Sequence, residues 1–313
     1  MNQAKPVVIV IGGPTASGKT ALGITLASKL GTEIISADSR QLYKELSIGV
    51  ARPTAEELSM AVHHLIASHS VKQPLSAGGF AKEASITLRK LLNTHGIAIV
   101  VGGTGLYIQA LLQGLDSVPE VPLHLRQEID ALFENEGLDG VQKALLKLDP
   151  NAEQRVVFDN PARVKRALEL VTIAGKSLED IYEDGKKNKR SAFEDCTILK
   201  FWLNPKRDLL YERINQRCDN MISDGFLEEV KSCLPFREIN PLKTVGYTEA
   251  FQYIDGSYSY ETFIELFKQR SRNYAKRQVT WFKNSKDFVP LDNEKAADRI
   301  FELLTAHGYT VHQ

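Results

Sequence analysis

The segment GPTASGKT at residues 13–20 has the clearest chemical purpose in this chain. It matches the pattern G-x-x-x-x-G-K-[ST], in which backbone N–H groups at the start of a helix cradle phosphate oxygens. Lys19 adds a full positive charge, and the hydroxyl of Thr20 is a group that Mg²⁺ accepts as a ligand. The pattern therefore predicts a diphosphate or triphosphate site formed by Gly13, Pro14, Thr15, Ala16, Ser17, Gly18, Lys19 and Thr20.

The elements around this loop can position it. An apolar run at 6–12 predicts a strand before the loop, and apolar residues at helical spacing predict a helix over 19–30. Further strand-like runs at 33–38 and 97–103 alternate with helical patterns over about 80–94 and 104–114. This alternation indicates a parallel sheet with helices on both faces.

Two polar segments follow the ends of the other predicted strands. Asp38, Ser39, Arg40 and Gln41 come after the second strand, and Thr104 lies in the glycine-rich turn after the third. Ligands of parallel sheets bind at the carboxyl ends of the strands. We therefore expect both segments to lie beside the phosphate loop.

The middle of the chain has a different texture. Residues 118–124 are rich in proline, and residues 124–190 are helical by periodicity. Pro161 and Gly175 suit the first turn of one such helix and the position after its end. Beyond this region the patterns predict a strand at 196–204, helices at 206–221, 223–234 and 259–284, a short strand at 287–291 and a last helix. The predicted α/β core thus comprises residues 1–116 and 196–313, interrupted by a helical insertion domain at 117–195.

The composition fits a soluble globular chain of about two domains, with 313 residues, 43% hydrophobic and 25% charged. Cys196, Cys218 and Cys233 have no C-x-x-C spacing, so we expect structural thiols in a reduced, cytoplasmic setting. The apolar runs are too short for a membrane span, and the N-terminus lacks a signal-peptide pattern. Because nothing resembles a coiled coil, we expect a monomer.

The charge distribution is uneven although the formal net charge is zero. Residues 266–286 contain seven Lys and Arg side chains and no acid, whereas residues 116–139 contain seven acids and one Arg. A local basic stretch is typical of a nucleic-acid contact. It is also typical of a solvated helix face, and charge alone does not distinguish the two.

Several segments together resemble the bacterial tRNA dimethylallyltransferases. Besides the phosphate loop they are SADSRQLY at 36–43, GVARP at 49–53, VGGTGLYIQALLQGL at 101–115, NPARVKRALE at 160–169, the span Arg213 to Arg217, VGYTEA at 245–250 and NYAKRQVTWF at 273–282. The resemblance implies a P-loop NTPase-like parallel sheet core with a helical insertion. It also implies transfer of a dimethylallyl group from dimethylallyl diphosphate to N6 of the adenosine immediately 3′ of the anticodon in tRNA.

The resemblance assigns roles to individual residues. The phosphate loop would hold the diphosphate of the donor, with Mg²⁺ on Thr20 and with Arg217 as a second cation. Asp38 would be the general base, and Thr104 would hold the amine or a diphosphate oxygen. Taken alone, Asp38 is also typical of an N-cap or a magnesium ligand, and Arg217 of a surface side chain on a helix.

The resemblance also implies a contact with the tRNA anticodon stem-loop. The implied tRNA-binding residues are Asp38, Ser39, Arg40, Gln41, Thr104, Arg126, Ala162, Arg163, Val164, Lys165, Arg166, Lys243, Thr244, Val245, Gly246, Tyr247 and Thr248. The basic stretch 266–286 would follow the RNA backbone. Tyr274 and Trp281 within it could stack on bases or pack in the core.

Two other functions share parts of this pattern. A small-molecule kinase would have the same loop and an Asp after the second strand, and residues 163–190 could form its arginine-bearing lid. A non-catalytic RNA-binding protein would need no carboxylate beside the loop. The matching segments outside the loop favour the transferase over both.

Overall fold

A computed structural model of the chain describes residues 5–116, 118–187, 192–306 and 308–309. The fold divides into two compact units. The first comprises Met1–Leu112 and Ala192–Gln313, and the second comprises Gln113–Ser191. Among the described residues, no helix is long and apolar enough to cross a membrane.

The first unit is built on a six-stranded sheet in the order β3-β2-β4-β1-β5-β6. Its strands are β1 (Val7–Gly12), β2 (Ile34–Ser36), β3 (His63–His64), β4 (Ile97–Gly102), β5 (Thr197–Leu203) and β6 (Val289–Leu291). Every neighbouring pair is parallel, which confirms the predicted fold class. The edge strand β3 was not predicted, since two residues are too few to give a periodic pattern.

The helices of the described residues alternate with these strands in the first unit and fill the second. They are α1 (Lys19–Leu30), α2 (Ala55–Met60), α3 (Ala77–His95), α4 (Gly105–Gln113), α5 (Leu123–Leu148), α6 (Pro161–Ala174), α7 (Leu178–Lys187), α8 (Arg207–Ser223), α9 (Phe226–Ser232), α10 (Tyr247–Ile254), α11 (Tyr260–Asn284) and α12 (Ala296–Ala306). The helices α2 and α10 were not predicted, and each is eight residues or shorter.

The central strands are buried on both faces, as the apolar runs VVIVIG and IAIVVG require. Val8 and Val10 belong to one hydrophobic cluster, whereas Val7, Ile9 and Ile11 belong to another. The second cluster is completed by α1 and α12, and the first by α3, α4 and the helices from α8 to α11. Alternate side chains of one strand thus bind two helical layers to the sheet.

The long helix α11 presents one buried stripe to this core. Its buried residues follow each other at intervals of three or four: Phe263, Phe267, Ser271, Ala275, Gln278 and Phe282. Ser259 caps the helix by accepting a hydrogen bond from the N–H of Thr262 at 3.2 Å. Polar residues within an otherwise apolar stripe indicate that part of this face serves a site rather than the core.

The second unit packs α5, α6 and α7 around a hydrophobic cluster of its own. Pro161 occupies the first turn of α6 and Gly175 ends it in the left-handed conformation, as the sequence indicated. Asn160, which was not predicted, caps the helix. Gly137 interrupts α5 with a φ of 68°. This unit comprises Gln113–Ser191, whereas the predicted insertion is 117–195.

Candidate active site

The carboxyl ends of β1, β2 and β4 open into a cavity of about 410 Å³. Its lining includes residues 15–20 of the phosphate loop, Asp38 after β2, and Gly102 and Gly103 at the end of β4, whereas Gly13 and Pro14 lie outside the lining. Arg217 of α8 and Gln278 of α11 complete this part of the lining. The topology thus brings together segments that lie far apart in the chain.

The phosphate loop is shaped to receive an anion. Gly18 begins α1 with a φ of 89°, a left-handed conformation that glycine adopts without strain. Ser17 is fully buried, and its Oγ has no hydrogen-bond partner among the described residues. Lys19 donates from Nζ to the carbonyl oxygen of Pro14 at 2.5 Å. The first turn of α1 contains no acid, so its free N–H groups and its dipole favour negative charge.

Two cations at this loop have altered pKa values. Burial lowers the pKa of Lys19 to about 7, with Asp38 opposing the shift and Arg217 adding to it. Burial likewise lowers the pKa of Arg217 from its ordinary value. Its Nη1 donates to Oγ1 of Thr15 at 3.1 Å. These two half-buried basic groups beside one loop attract an anion, because partial burial reduces the solvent that screens them.

Asp38 has its carboxylate oriented by the turn that follows β2. Oδ1 accepts hydrogen bonds from the backbone N–H groups of Arg40 at 2.9 Å and Gln41 at 3.3 Å. Oδ2 has no hydrogen-bond partner among the described residues. The carboxylate is therefore fixed through one oxygen, and the other is free to accept a proton.

Thr104 connects the turn after β4 with the turn after β2. Its Oγ1 accepts from the N–H of Ser39 at 3.0 Å and donates to Oγ of Ser39 at 3.3 Å. Tyr274 of α11 lines the same cavity. Burial, with a contribution from Asp38, raises the pKa of Tyr274 to about 12, so its phenol stays protonated at neutral pH.

Gln278 was not predicted to belong to the site. Its Oε1 accepts from the N–H of Thr15 at 2.8 Å, and its Nε2 donates to the carbonyl oxygen of Gly103 at 3.0 Å. A Cβ atom on Gly103 would lie 2.3 Å from that Nε2, so only glycine allows this approach. A glutamine on the apolar stripe of α11 was the sequence signal for this contact.

A second group that was not predicted holds one wall of the cavity. Glu229 on α9 accepts hydrogen bonds from the N–H groups of Ser47, Ile48 and Gly49 at 2.8, 2.8 and 2.9 Å. The hydroxyl of Tyr247 donates to the same carboxylate at 2.5 Å. Gly49 lines the cavity, so Glu229 determines the backbone position of this wall.

Comparison with known proteins agrees with this geometry. The family model for IPP transferase matches residues 41–285. The tRNA dimethylallyltransferase of Christiangramia forsetii is 41% identical over 95% of this chain and 97% of its own length. The tRNA dimethylallyltransferase 1 of Bacteroides thetaiotaomicron is 40% identical over 97% of both chains. The chain belongs to the tRNA dimethylallyltransferase family.

Solved structures of tRNA dimethylallyltransferases have the same fold. The tRNA isopentenylpyrophosphate transferase of Bacillus halodurans matches with a TM-score of 0.71 and 31% identity, over 97% of both chains. A eukaryotic dimethylallyltransferase, captured acting on tRNA, matches with a TM-score of 0.77 and 26% identity, over 98% of this chain and 81% of its own. The family resemblance is confirmed, whereas the kinase and the non-catalytic RNA binder are not supported.

The match to the family model does not depend on the phosphate loop. It begins at residue 41, beyond the end of that loop. The loop pattern and the family match are therefore separate observations. Both concern the cavity, since Arg217 and Gln278 of the matched region line it together with the loop.

The predicted tRNA-binding residues of the second unit differ in accessibility. Val164 is fully buried, so its side chain does not face a partner. Nζ of Lys165 lies 2.6 Å from Oδ1 of Asp130, and Nη1 of Arg166 lies 2.7 Å from Oε2 of Glu169. The exposed members of this set are Arg126, Ala162 and Arg163. That these residues of the second unit contact RNA stays a prediction.

The predicted tRNA-binding residues of the first unit lie at the cavity or near it. Nε2 of Gln41 donates to the carbonyl oxygens of Val50 and Ala51 at 3.3 and 2.9 Å, so this side chain supports the cavity wall. Tyr247 is fully buried against Glu229. Other members of the set line the cavity or are exposed: Arg40, Thr244 and Val245 line it, and Lys243 and Thr248 are exposed.

The basic stretch 266–286 divides between internal contacts and free surface. Lys268 pairs with Asp219 at 2.6 Å, and Arg272 donates to Asn215 at 2.6 Å. Trp281 packs edge-on against Phe282 and Phe288, as a core side chain does. Five cations of the stretch remain exposed: Arg270, Lys276, Arg277, Lys283 and Lys286.

Proposed function

We propose that this chain transfers a dimethylallyl group from dimethylallyl diphosphate to N6 of the adenosine immediately 3′ of the anticodon in tRNA. The N6–C1 bond forms, the C1–O bond to diphosphate breaks, and the N6 proton passes to a base. One observation carries the proposal: an anion loop with two cations and an oriented carboxylate line a single cavity. Family membership supports both the reaction and the tRNA substrate.

The diphosphate is stabilised as it leaves. The N–H groups of the phosphate loop, Lys19 and Arg217 are donors fixed before the reaction, and burial strengthens their interaction with developing charge. Each such donor typically contributes about 3 kcal/mol to the transition state. Ser17, whose buried Oγ has no partner among the described residues, is a further donor for a phosphate oxygen.

The oxygen donors at the loop suit Mg²⁺. Thr20 lines the cavity beside Lys19 and offers its hydroxyl oxygen. The described residues contain no group of three or more His, Cys, Asp or Glu able to hold a metal. Diphosphate oxygens and water would therefore supply most ligands, as is usual for Mg²⁺. When bound, the ion neutralises charge on the leaving diphosphate.

Asp38 acts as the general base in this proposal. The amine of adenine is a weak nucleophile because its lone pair is delocalised into the ring. A carboxylate that removes the proton typically raises the rate by about 10²- to 10⁴-fold. Thr104 and Ser39 are hydroxyl groups beside Asp38 that can orient the amine.

The adenosine must leave the anticodon loop to reach the cavity. Enzymes that modify a base extrude it into a pocket, and unpaired loop bases are the ones that proteins read in RNA. The exposed residues of the predicted tRNA-binding set and the exposed cations of α11 would contact the stem-loop.

We further propose a monomer that acts in the cytoplasm, where its tRNA substrate is.

A transfer assay tests the proposal. Labelled dimethylallyl diphosphate, Mg²⁺ and unmodified tRNA are incubated with the protein, and the label in RNA is mapped. We expect label on the adenosine 3′ of the anticodon and none on a matched tRNA with guanosine there. ATP labelled at its γ-phosphate replaces the donor in the control. Phosphate transfer to a small acceptor without prenylation of tRNA would contradict the proposal.

A further inference from the structure

The phosphate loop and the turn after β4 begin where the hydrogen-bonded pairing of β1 with β4 ends. The ladder between β1 and β4 ends at the pair Gly12 and Gly102. Thr15 and Gly103 lie beyond that pair, one on each side of the cavity floor. Their separation therefore depends on contacts outside the sheet.

The amide of Gln278 supplies such a contact. Oε1 accepts from the N–H of Thr15 at 2.8 Å, while Nε2 donates to the carbonyl oxygen of Gly103 at 3.0 Å. Gln278 is 6% exposed, so neither bond competes with bulk water. A planar amide with one acceptor and one donor fixes the distance between the two backbones.

The helix beneath makes this bridge rigid. Ala275 and Phe282 flank Gln278 on the same stripe of α11, and both are buried to within 1%. One turn before it on the same helix, Tyr274 lines the cavity as Gln278 does. The buried stripe of α11 thus fixes the side chain that holds the turn after β4 at Gly103.

We propose that Gln278 is a positioning residue for prenyl transfer. It holds the loop that carries the donor diphosphate in register with the turn that faces the acceptor amine. This inference rests on the proposed function, because it assigns the donor to the loop and the amine to the turn. Misplacing reacting groups by about 1 Å can lower a rate by about 10²-fold without comparable loss of binding.

Two variants separate the ends of the bridge. Gln278→Leu keeps the approximate size and removes both hydrogen bonds. Gln278→Glu keeps an acceptor for the N–H of Thr15 but loses the donor to Gly103. It places a carboxylate oxygen beside the carbonyl oxygen of Gly103, and the two oxygens repel each other. Thr32→Val is the matched control, since Thr32 is 8% exposed and donates to the carbonyl oxygen of Ile97 at 2.6 Å, at the opposite end of β4.

Steady-state kinetics supplies the first measurement. For Gln278→Leu and Gln278→Glu we expect kcat to fall by about 10²-fold, with the KM values for donor and tRNA within about threefold of wild type. Thr32→Val should lose thermal stability to a similar extent and keep kcat within about twofold. A kcat loss no larger than that of Thr32→Val, or a loss confined to KM, overturns the proposal.

Amide hydrogen exchange supplies a readout that needs no substrate. We expect the N–H of Thr15 to exchange faster in Gln278→Leu than in wild type and to stay protected in Gln278→Glu and in Thr32→Val. Unchanged protection in Gln278→Leu contradicts the bridge. If Gln278→Leu does not fold, the kcat of Gln278→Glu, compared with that of Thr32→Val, tests the proposal. A wild-type protein that transfers no prenyl group refutes the proposed function, and exchange still tests the bridge.

Discussion

At the scale of single residues, the carboxylate of Asp38 is the group on which the proposed chemistry depends. The turn N–H groups of Arg40 and Gln41 both bind Oδ1, so Asn at this position can keep the same turn. An amide cannot take the N6 proton. We predict that Asp38→Asn lowers kcat by about 10²-fold or more and leaves the tRNA Kd within about tenfold.

Steady-state transfer kinetics gives kcat, and filter binding of tRNA gives Kd. Asp38→Ala should match Asp38→Asn in kcat, because both remove the base. Ser223→Ala, a change at an exposed serine near the end of α8, serves as the control for handling and folding. A kcat near the wild-type value in Asp38→Asn would remove Asp38 as the base.

The lowered pKa of Lys19 predicts that the protein takes up a proton when the donor diphosphate binds. Its pKa of about 7 in the free protein means that the amine is mostly neutral at pH 8 and mostly charged at pH 6. A bound diphosphate favours the ammonium form and raises that pKa, so binding at pH 8 must take up about one proton. At pH 6 the uptake should be small, and donor affinity should fall as the pH rises above about 7.

Calorimetry of donor binding in buffers with different ionisation enthalpies measures this uptake. Lys19→Arg is the matched control, because a guanidinium stays charged throughout this range and has no proton to gain. The wild-type uptake at pH 8 should vanish in that variant. Equal uptake in both proteins, or none in wild type, would show that Lys19 is not the titrating group.

At the scale of elements, the cavity wall at Ser47, Ile48 and Gly49 depends on α9. The three backbone N–H groups of this wall all donate hydrogen bonds to the carboxylate of Glu229 on α9. The hydroxyl of Tyr247 donates to the same carboxylate. Burial raises the pKa of Tyr247, so the phenol stays a donor. We predict that Tyr247→Phe costs about 1–2 kcal/mol of stability and raises the donor KM by about three- to tenfold.

Tyr43→Phe is the control for this change. Tyr43 is equally buried, and its hydroxyl accepts from the N–H of Leu75 at 3.2 Å away from the cavity lining. Denaturant unfolding should give similar losses for both variants, whereas only Tyr247→Phe should change the donor KM. A donor KM altered equally in both would mean that general destabilisation, and not the wall, is responsible.

The same scale explains what the sequence predicted and what it missed. The central strands and α11 were predicted within a few residues, because buried parallel strands and long amphipathic helices have strong periodic signals. The phosphate loop and Asp38 follow strand ends, so the topology rule brought them together. Glu229 and Gln278 were missed, since each binds backbone groups far away in the chain. The position of Gln278 on an apolar stripe marks it as unusual, but no local pattern identifies its partners.

At the scale of the whole molecule, charge is separated while the formal net charge is zero. A neutral total gives no general attraction to RNA, so attraction must come from local cations. Lys276 and Lys283 lie seven residues apart on the exposed face of α11, and neither forms an ion pair among the described residues. This face is therefore a better candidate for phosphate contact than the paired Lys268 of the same helix.

Salt dependence tests that assignment. Each phosphate contact to a single-stranded loop contributes about 0.7 to the slope of log Kd against log salt, and each contact to a duplex stem about 0.9. The double variant Lys276→Ala with Lys283→Ala should lower the tRNA slope by about 1.4–1.8 and leave the donor KM unchanged. Lys82→Ala with Lys90→Ala, on the exposed side of α3, is the matched control and should keep the slope. An equal slope change in both double variants would mean that α11 has no special place in tRNA binding and that the attraction is spread over the surface.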